Sequence, residues 1–220
     1  MGVVPPASNP LPRHTADPVA TREDLAVLRP ELVKQYDAAI AGARAAILGR
    51  LLGAVDREPL PGRVAHRRGE VTFTPPDSGP PVTVRYPTAA ALPFSPATAG
   101  LVADVGGRRI DDPGTLMRLL WGDVPLAAET DNSVANLALA RAARAYGGDA
   151  SRGSAGTGDW PGRHDTYGFG GVDGLALVEQ SLTDRHPLHP CCRARGGMSV
   201  ADVLAYAPEH RPVFRGVGEH

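Results

Sequence analysis

At 220 residues, with a formal charge of -1 and 42% apolar content, the chain is long enough for one large or two small domains and a substantial core. Its 23 basic residues form no block, which argues against nucleic acid as a partner, and the only lysine, Lys34, lies in no glycine-rich turn, which excludes a Walker phosphate loop. No basic stretch leads into an apolar core at the start, Arg44 and Arg50 interrupt the longest apolar segment, and the two cysteines are adjacent. These features predict a cytoplasmic protein with no membrane partner and no disulfide framework.

In chain order, residues 1–20 are rich in Pro, Ala and polar residues without periodicity, and a disordered arm is expected there. Thr21, with Asp24 three residues on, suits the cap of a short turn, and Pro30 suits the first turn of the helix that follows. Leu32, Tyr36, Ile40, Ala43, Ile47 and Leu51 recur every three or four residues, the stripe of a long amphipathic helix ending near Asp56. Residues 71–74 and 82–86 alternate apolar and polar side chains around a proline-rich connection, which predicts a β hairpin. Residues 101–105 read as a further short strand, and residues 115–120 as a short helix after the Asp111-Asp112-Pro113 turn. Asp131 or Asn132 suits the cap of a helix carrying Val134, Ala138, Ala142 and Tyr146, with Gly147-Gly148 as its stop.

Residues 149–171 hold seven glycines among small polar residues and are expected to form a flexible loop, because ordering them costs backbone entropy. A short helix over 174–182 then leads into His186-Pro187-Leu188-His189-Pro190-Cys191-Cys192-Arg193-Ala194-Arg195-Gly196-Gly197-Met198-Ser199. Ser199 suits the cap of a last helix through Asp202 to Tyr206, which Pro208 ends.

Three readings of the histidine segment stand side by side. His186, His189, Cys191 and Cys192 are all metal-ligand types, yet they crowd into seven residues instead of forming two separated pairs. Alternatively, the prolines form a rigid turn, the histidines satisfy local hydrogen bonds and the arginines are solvated. In the third reading the segment is a polyanion site. Guanidinium groups hold phosphate through paired charge-assisted hydrogen bonds, and residues two apart in an extended segment face the same side, so Arg193 and Arg195 would grip one group together. The prolines would lower the entropy lost on binding.

The order Glu179, His186-Pro-x-His189-Pro-x-x-Arg193-x-Arg195-x-Gly197-x-Ser199, Tyr206-x-Pro208-Glu209 resembles the signature of the siderophore synthetases that work independently of nonribosomal peptide synthetases, the aerobactin-synthetase type. Residues 129–138 and the helix ending in Leu51-Leu52 resemble the same family's N-terminal region, and the likeness covers about residues 30–212. The chain departs from the family pattern in having Arg185 where glycine usually precedes the first His-Pro, and Arg193 where lysine is usual. Members also continue for several hundred residues beyond the Tyr-x-Pro-Glu segment, so the resemblance implies an N-terminal portion that is split, truncated or degenerate.

The expected fold class is α+β. A mainly helical, thumb-like N-terminal domain over 21–148 carries a small β hairpin, and residues 172–220 begin a second, sheet-containing nucleotide-binding domain. The resemblance implies ATP-dependent condensation of a citrate-like carboxylic acid with an amine, hydroxylamine or alcohol, using ATP and Mg2+. His186, His189, Arg193, Arg195 and Ser199 would lie at the ATP phosphates, with Glu179 supporting the loop; no catalytic base and no metal ligand is assigned. A C-terminal partner chain and a homodimer are the protein partners that the resemblance allows. Noncatalytic interaction and metal binding are the alternative functions.

Overall fold

The structure, a computed structural model, describes residues 17–57, 62–67, 70–75, 80–85, 102–153, 189–207 and 209–210. Helix α1 (Pro18–Leu28) starts where Asp17 accepts hydrogen bonds at 2.8 Å from the amides of Val19 and Ala20, with proline in the first turn. The expected start at Thr21 is therefore corrected. Thr21 lies inside the helix and is buried, because the Asp17-Pro18 pair supplies both a cap and a preset backbone angle one turn earlier. A 3-10 turn (Pro30–Leu32) leads into α2 (Val33–Arg57), the long helix that the apolar stripe predicted. The Tyr36 hydroxyl donates to the Pro18 carbonyl at 3.1 Å and ties α2 to the start of α1.

Strands β1 (Arg63–Arg67), β2 (Glu70–Thr74), β3 (Val82–Arg85), β4 (Val102–Val105) and β5 (Arg108–Ile110) form one antiparallel sheet in sequential order. The expected hairpin is its centre, with Val71 opposite Val84 and Phe73 opposite Val82. The sheet is larger than the sequence suggested. β4 and β5 are joined by Gly106-Gly107, both at positive φ (61° and 84°), the backbone that a two-residue hairpin turn with the strands' own twist requires.

Helix α3 (Pro113–Trp121) is capped by Asp112, whose carboxylate accepts from the Thr115 amide at 2.8 Å. Helix α4 (Pro125–Gly153) begins at Pro125, not at Asp131 or Asn132, and continues through Gly147-Gly148. Proline suits a first helical position, so the polar run Thr130-Asp131-Asn132-Ser133 falls within the helix. Thr130 bonds back to the Leu126 carbonyl at 2.7 Å. Helix α5 (Val200–Tyr206) is capped by Ser199, as expected.

Two apolar cores meet along α2. Its first part, through Ile47, packs with Leu25 of α1, Val134, Leu137 and Ala142 of α4, and Val200, Val203 and Ala207. Leu48, Leu51 and Leu52 instead face the inner side of the sheet, with Phe73, Val82, Val84, Ala103 and Ile110, and with Leu116 and Met117 of α3. Residues 132–140 of α4 are buried all the way round, which makes this stretch the centre of the helical core. The described part of 172–220, which the sequence assigned to a second domain, packs into that same core. The expected arm up to residue 16, most of the glycine-rich loop, the 174–182 helix, Glu179 and His186 lie outside the described residues.

No helix among the described residues is long and apolar enough to cross a membrane. At Gly114 of α3 an added Cβ would fall on the carboxylate of Asp131 of α4, itself held by Arg118. We predict that Gly114→Ala costs about 1–3 kcal/mol, as overpacking does in rigid contacts, measured as a lower urea midpoint at unchanged slope.

Candidate functional site

The turn over 189–199 lies across the polar face of α4. An irregular segment against a buried helix must place its backbone groups, and α4 supplies the partners. The Arg193 amide donates to Ser133 Oγ at 3.1 Å, and the Arg195 amide donates to Asn132 Oδ1 at 2.7 Å. Asn136 Nδ2 donates to the same Asn132 oxygen at 3.0 Å and fixes its orientation. Within the turn, Cys192 N bonds His189 O at 3.3 Å and Ala194 N bonds Cys191 O at 3.0 Å. Arg193 and Arg195 therefore share an orientation because two side chains of one helix grip alternate amides.

Both cysteines turn toward the helices. Arg50 Nη1 of α2 donates to Cys192 Sγ at 2.9 Å, and Cys191 Sγ lies 3.6 Å from Thr130 Oγ1 of α4. Burial pushes the Cys191 thiol above its usual range, only partly opposed by the Thr130 hydroxyl. Among the described residues no group of three or more His, Cys, Asp or Glu is placed to hold a metal ion.

The structure brings Arg193 and Arg195 together on one anion, and that anion belongs to the chain. Glu209, just beyond α5, accepts from Arg193 Nη1 at 2.6 Å and from Arg195 Nη2 at 3.2 Å and 3.5 Å. The Arg193 side chain is 0% exposed and that of Glu209 4%, whereas Arg195 keeps 18%. Burial alone would lift the Glu209 carboxyl. Its own backbone amide, followed by the charges of Arg193, Arg195 and His210, outweighs this and holds it below the usual range.

His189 is exposed, and its Nδ1 accepts from the Cys191 amide at 3.1 Å, so the neutral ring carries its proton on an outward Nε2. Ser199 is occupied by its helix. Its hydroxyl accepts from the Asp202 amide at 3.2 Å, while Asp202 Oδ2 accepts from the Ser199 amide at 3.0 Å, a reciprocal capping box. Of the side chains expected at an anion, Arg193 is thus turned inward, Ser199 is engaged at the helix start, and His189 and Arg195 remain open to solvent. The sequence reading missed the roles of Glu209, Asn132, Ser133, Asn136 and Arg50. One signal was available: a polar stripe within an Ala-, Leu- and Val-rich helix requires partners from another segment.

Next to Glu209, burial drives the largely buried His210 imidazole down to about 4, against the attraction of Glu209. Its Nε2 is sequestered without a hydrogen-bond partner. A histidine whose folded value lies below its unfolded value of about 6.5 contributes stability that is complete above pH 6.5 and is lost as pH falls toward 4. The depressed carboxyl of Glu209 acts in the same direction, losing its contribution below about pH 4.5. Stability should therefore fall by about 2 kcal/mol between pH 7 and pH 5 through His210, and His210→Phe should flatten that dependence in urea titrations. Glu209→Ala should cost about 3–5 kcal/mol by removing the carboxylate that a buried guanidinium meets, and Arg193→Met with Glu209→Leu should cost much less.

Neither a curated protein nor a solved structure matches the chain. A family model matches residues 174–216, the segment that holds the histidine turn, the two arginines, α5 and Glu209. Over that segment the chain is similar to the IucA / IucC family.

Proposed function

We propose that the chain is the N-terminal portion of an ATP-dependent siderophore synthetase and contributes one wall of its nucleotide site. The observation that carries the reading is that the family match falls on the turn anchored to α4, with Arg195 and His189 open to solvent beside it. In this reading a carboxylate of a citrate-like acid attacks the α-phosphorus of ATP. The bond to the bridging oxygen breaks, pyrophosphate leaves, and an acyl-adenylate remains for an amine, hydroxylamine or alcohol to attack, releasing AMP.

The task of this chain in that reaction is electrostatic, because one anion must approach another. The Arg195 guanidinium and the His189 Nε2–H are the described donors available to the phosphates, and His186 would add a further donor by the resemblance. Arg193 and Ser199 act behind them, one on Glu209 and the other on α5. Mg2+ would arrive on the phosphates, where it offsets charge with few protein ligands. Further walls come from protein outside the described residues, of this chain or of a C-terminal partner, and a homodimer is compatible with this arrangement.

A second reading is a noncatalytic interaction module descended from such a synthetase. It is favoured by the engagement of Arg193 with an internal carboxylate and of Ser199 with its helix. ATP titration by calorimetry separates the two. The synthetase reading expects Mg-ATP binding that weakens about tenfold or more in Arg195→Ala, the scale of one lost charge-assisted bond. Absence of binding in the folded wild-type chain, with or without a co-expressed C-terminal partner, would leave the module reading.

A further inference from the structure

We infer that Glu209 is a positioning residue for the anion site: anchored by Arg193, it holds Arg195 so that one edge of that guanidinium faces the ligand. The inference rests on the nucleotide-site reading above and divides the two arginines, which the sequence treats as equivalent, into an anchor and a contact.

The geometry points that way in three steps. First, the fully buried Arg193 cannot meet a ligand without repacking, and its Nη1 makes the shorter contact with Glu209, at 2.6 Å. Second, Glu209 contacts Arg195 through Nη2 alone, with both carboxylate oxygens within 3.5 Å of that nitrogen. Third, among the described residues Nη1 and Nε of Arg195 have no partner, and the side chain retains 18% exposure. A guanidinium has two two-donor edges, Nε with Nη2 and Nη1 with Nη2, and Nη2 carries a hydrogen for each, so a carboxylate on one edge leaves the other for a ligand. The Arg195 backbone is fixed as well, by Asn132. A side chain held at its amide and at one terminal nitrogen loses little rotamer freedom when a phosphate arrives, and less entropy is lost on binding.

The ligand class that suits this edge is a phosphate or pyrophosphate group, whose oxygens match two parallel N–H donors. The carboxylate also tempers the site. With Glu209 offsetting one of the two positive charges, a single net cation faces the ligand, which favours a polyanion that brings its own metal over a small monovalent anion.

Glu209→Gln tests the assignment, because it keeps the shape and one acceptor oxygen while removing the charge that orders both guanidiniums. Affinities for Mg-ATP and for inorganic pyrophosphate should be measured by calorimetry on variants whose folded fraction is established by circular dichroism at the same temperature. The expected result is an affinity loss of about tenfold in Glu209→Gln for both ligands, a similar loss in Arg195→Ala, and little further loss in the double variant, since the two residues act through one contact. A merely structural role would lower the unfolding midpoint and leave the affinity of the folded fraction unchanged, and that result overturns the inference. A gain in affinity would also overturn it, because the carboxylate would then be competing for the site. If Glu209→Gln does not fold, Arg195→Lys serves instead: it keeps the charge without the fork, and affinity equal to wild type overturns the assignment while a loss approaching that of Arg195→Ala supports it. ATP binding that depends on Arg195 and not on Glu209 overturns this inference and leaves the nucleotide reading standing. Pyrophosphate binding that depends on both residues, without ATP binding, does the reverse, and no binding of either ligand by folded wild type overturns both.

Discussion

The buried contact between Arg193 and Glu209 organises the C-terminal part of the described fold. A guanidinium without solvent is tolerable only where a carboxylate meets it, and the two residues lie on opposite sides of α5 in sequence. Their pairing closes the chain around that helix and brings the 189–199 turn and the residues after α5 to one place. Arg195 then shares the same carboxylate, which leaves the pair of guanidiniums with one net positive charge rather than two.

That balance bears on what the family likeness means. The histidine motif reads in sequence as a row of equivalent phosphate ligands, whereas the structure sorts its members by depth. Arg193 is interior, Ser199 serves α5, both cysteine sulfurs turn toward α2 and α4, His189 is exposed, and Arg195 is partly exposed. A motif can therefore keep its order for two physical reasons at once. Some positions hold the loop in shape, and others present donors beyond it.

Much of the architecture was legible because its signals are local. The stripe from Leu32 to Leu51 specifies α2, alternation around residues 71–74 and 82–85 specifies the central hairpin, and Ser199 with Asp202 specifies the start of α5. The misplaced boundaries arose where two local signals competed. Pro18 behind Asp17 outweighed Thr21, and Pro125 outweighed Asp131 or Asn132. β5 was missed although Gly106-Gly107 is a strong hairpin signal, because three residues are too few to show alternation. The site was less legible for a different reason. The pairing of residues 193 and 209, and of 132 with 195, joins segments whose approach depends on packing of the whole core, and spacing along the chain does not encode it.

The passage of α2 through both cores has a mechanical consequence. Its first half is packed against α1 and α4, and its second half against the sheet and α3, with Arg50 at the junction reaching Cys192. Detaching the sheet would bare Leu48, Leu51 and Leu52 on the same rigid rod that carries the arginine turn's support. Sheet and turn thereby share one helix as support, so loosening the sheet's inner face would bare apolar side chains on a helix that also contacts the turn.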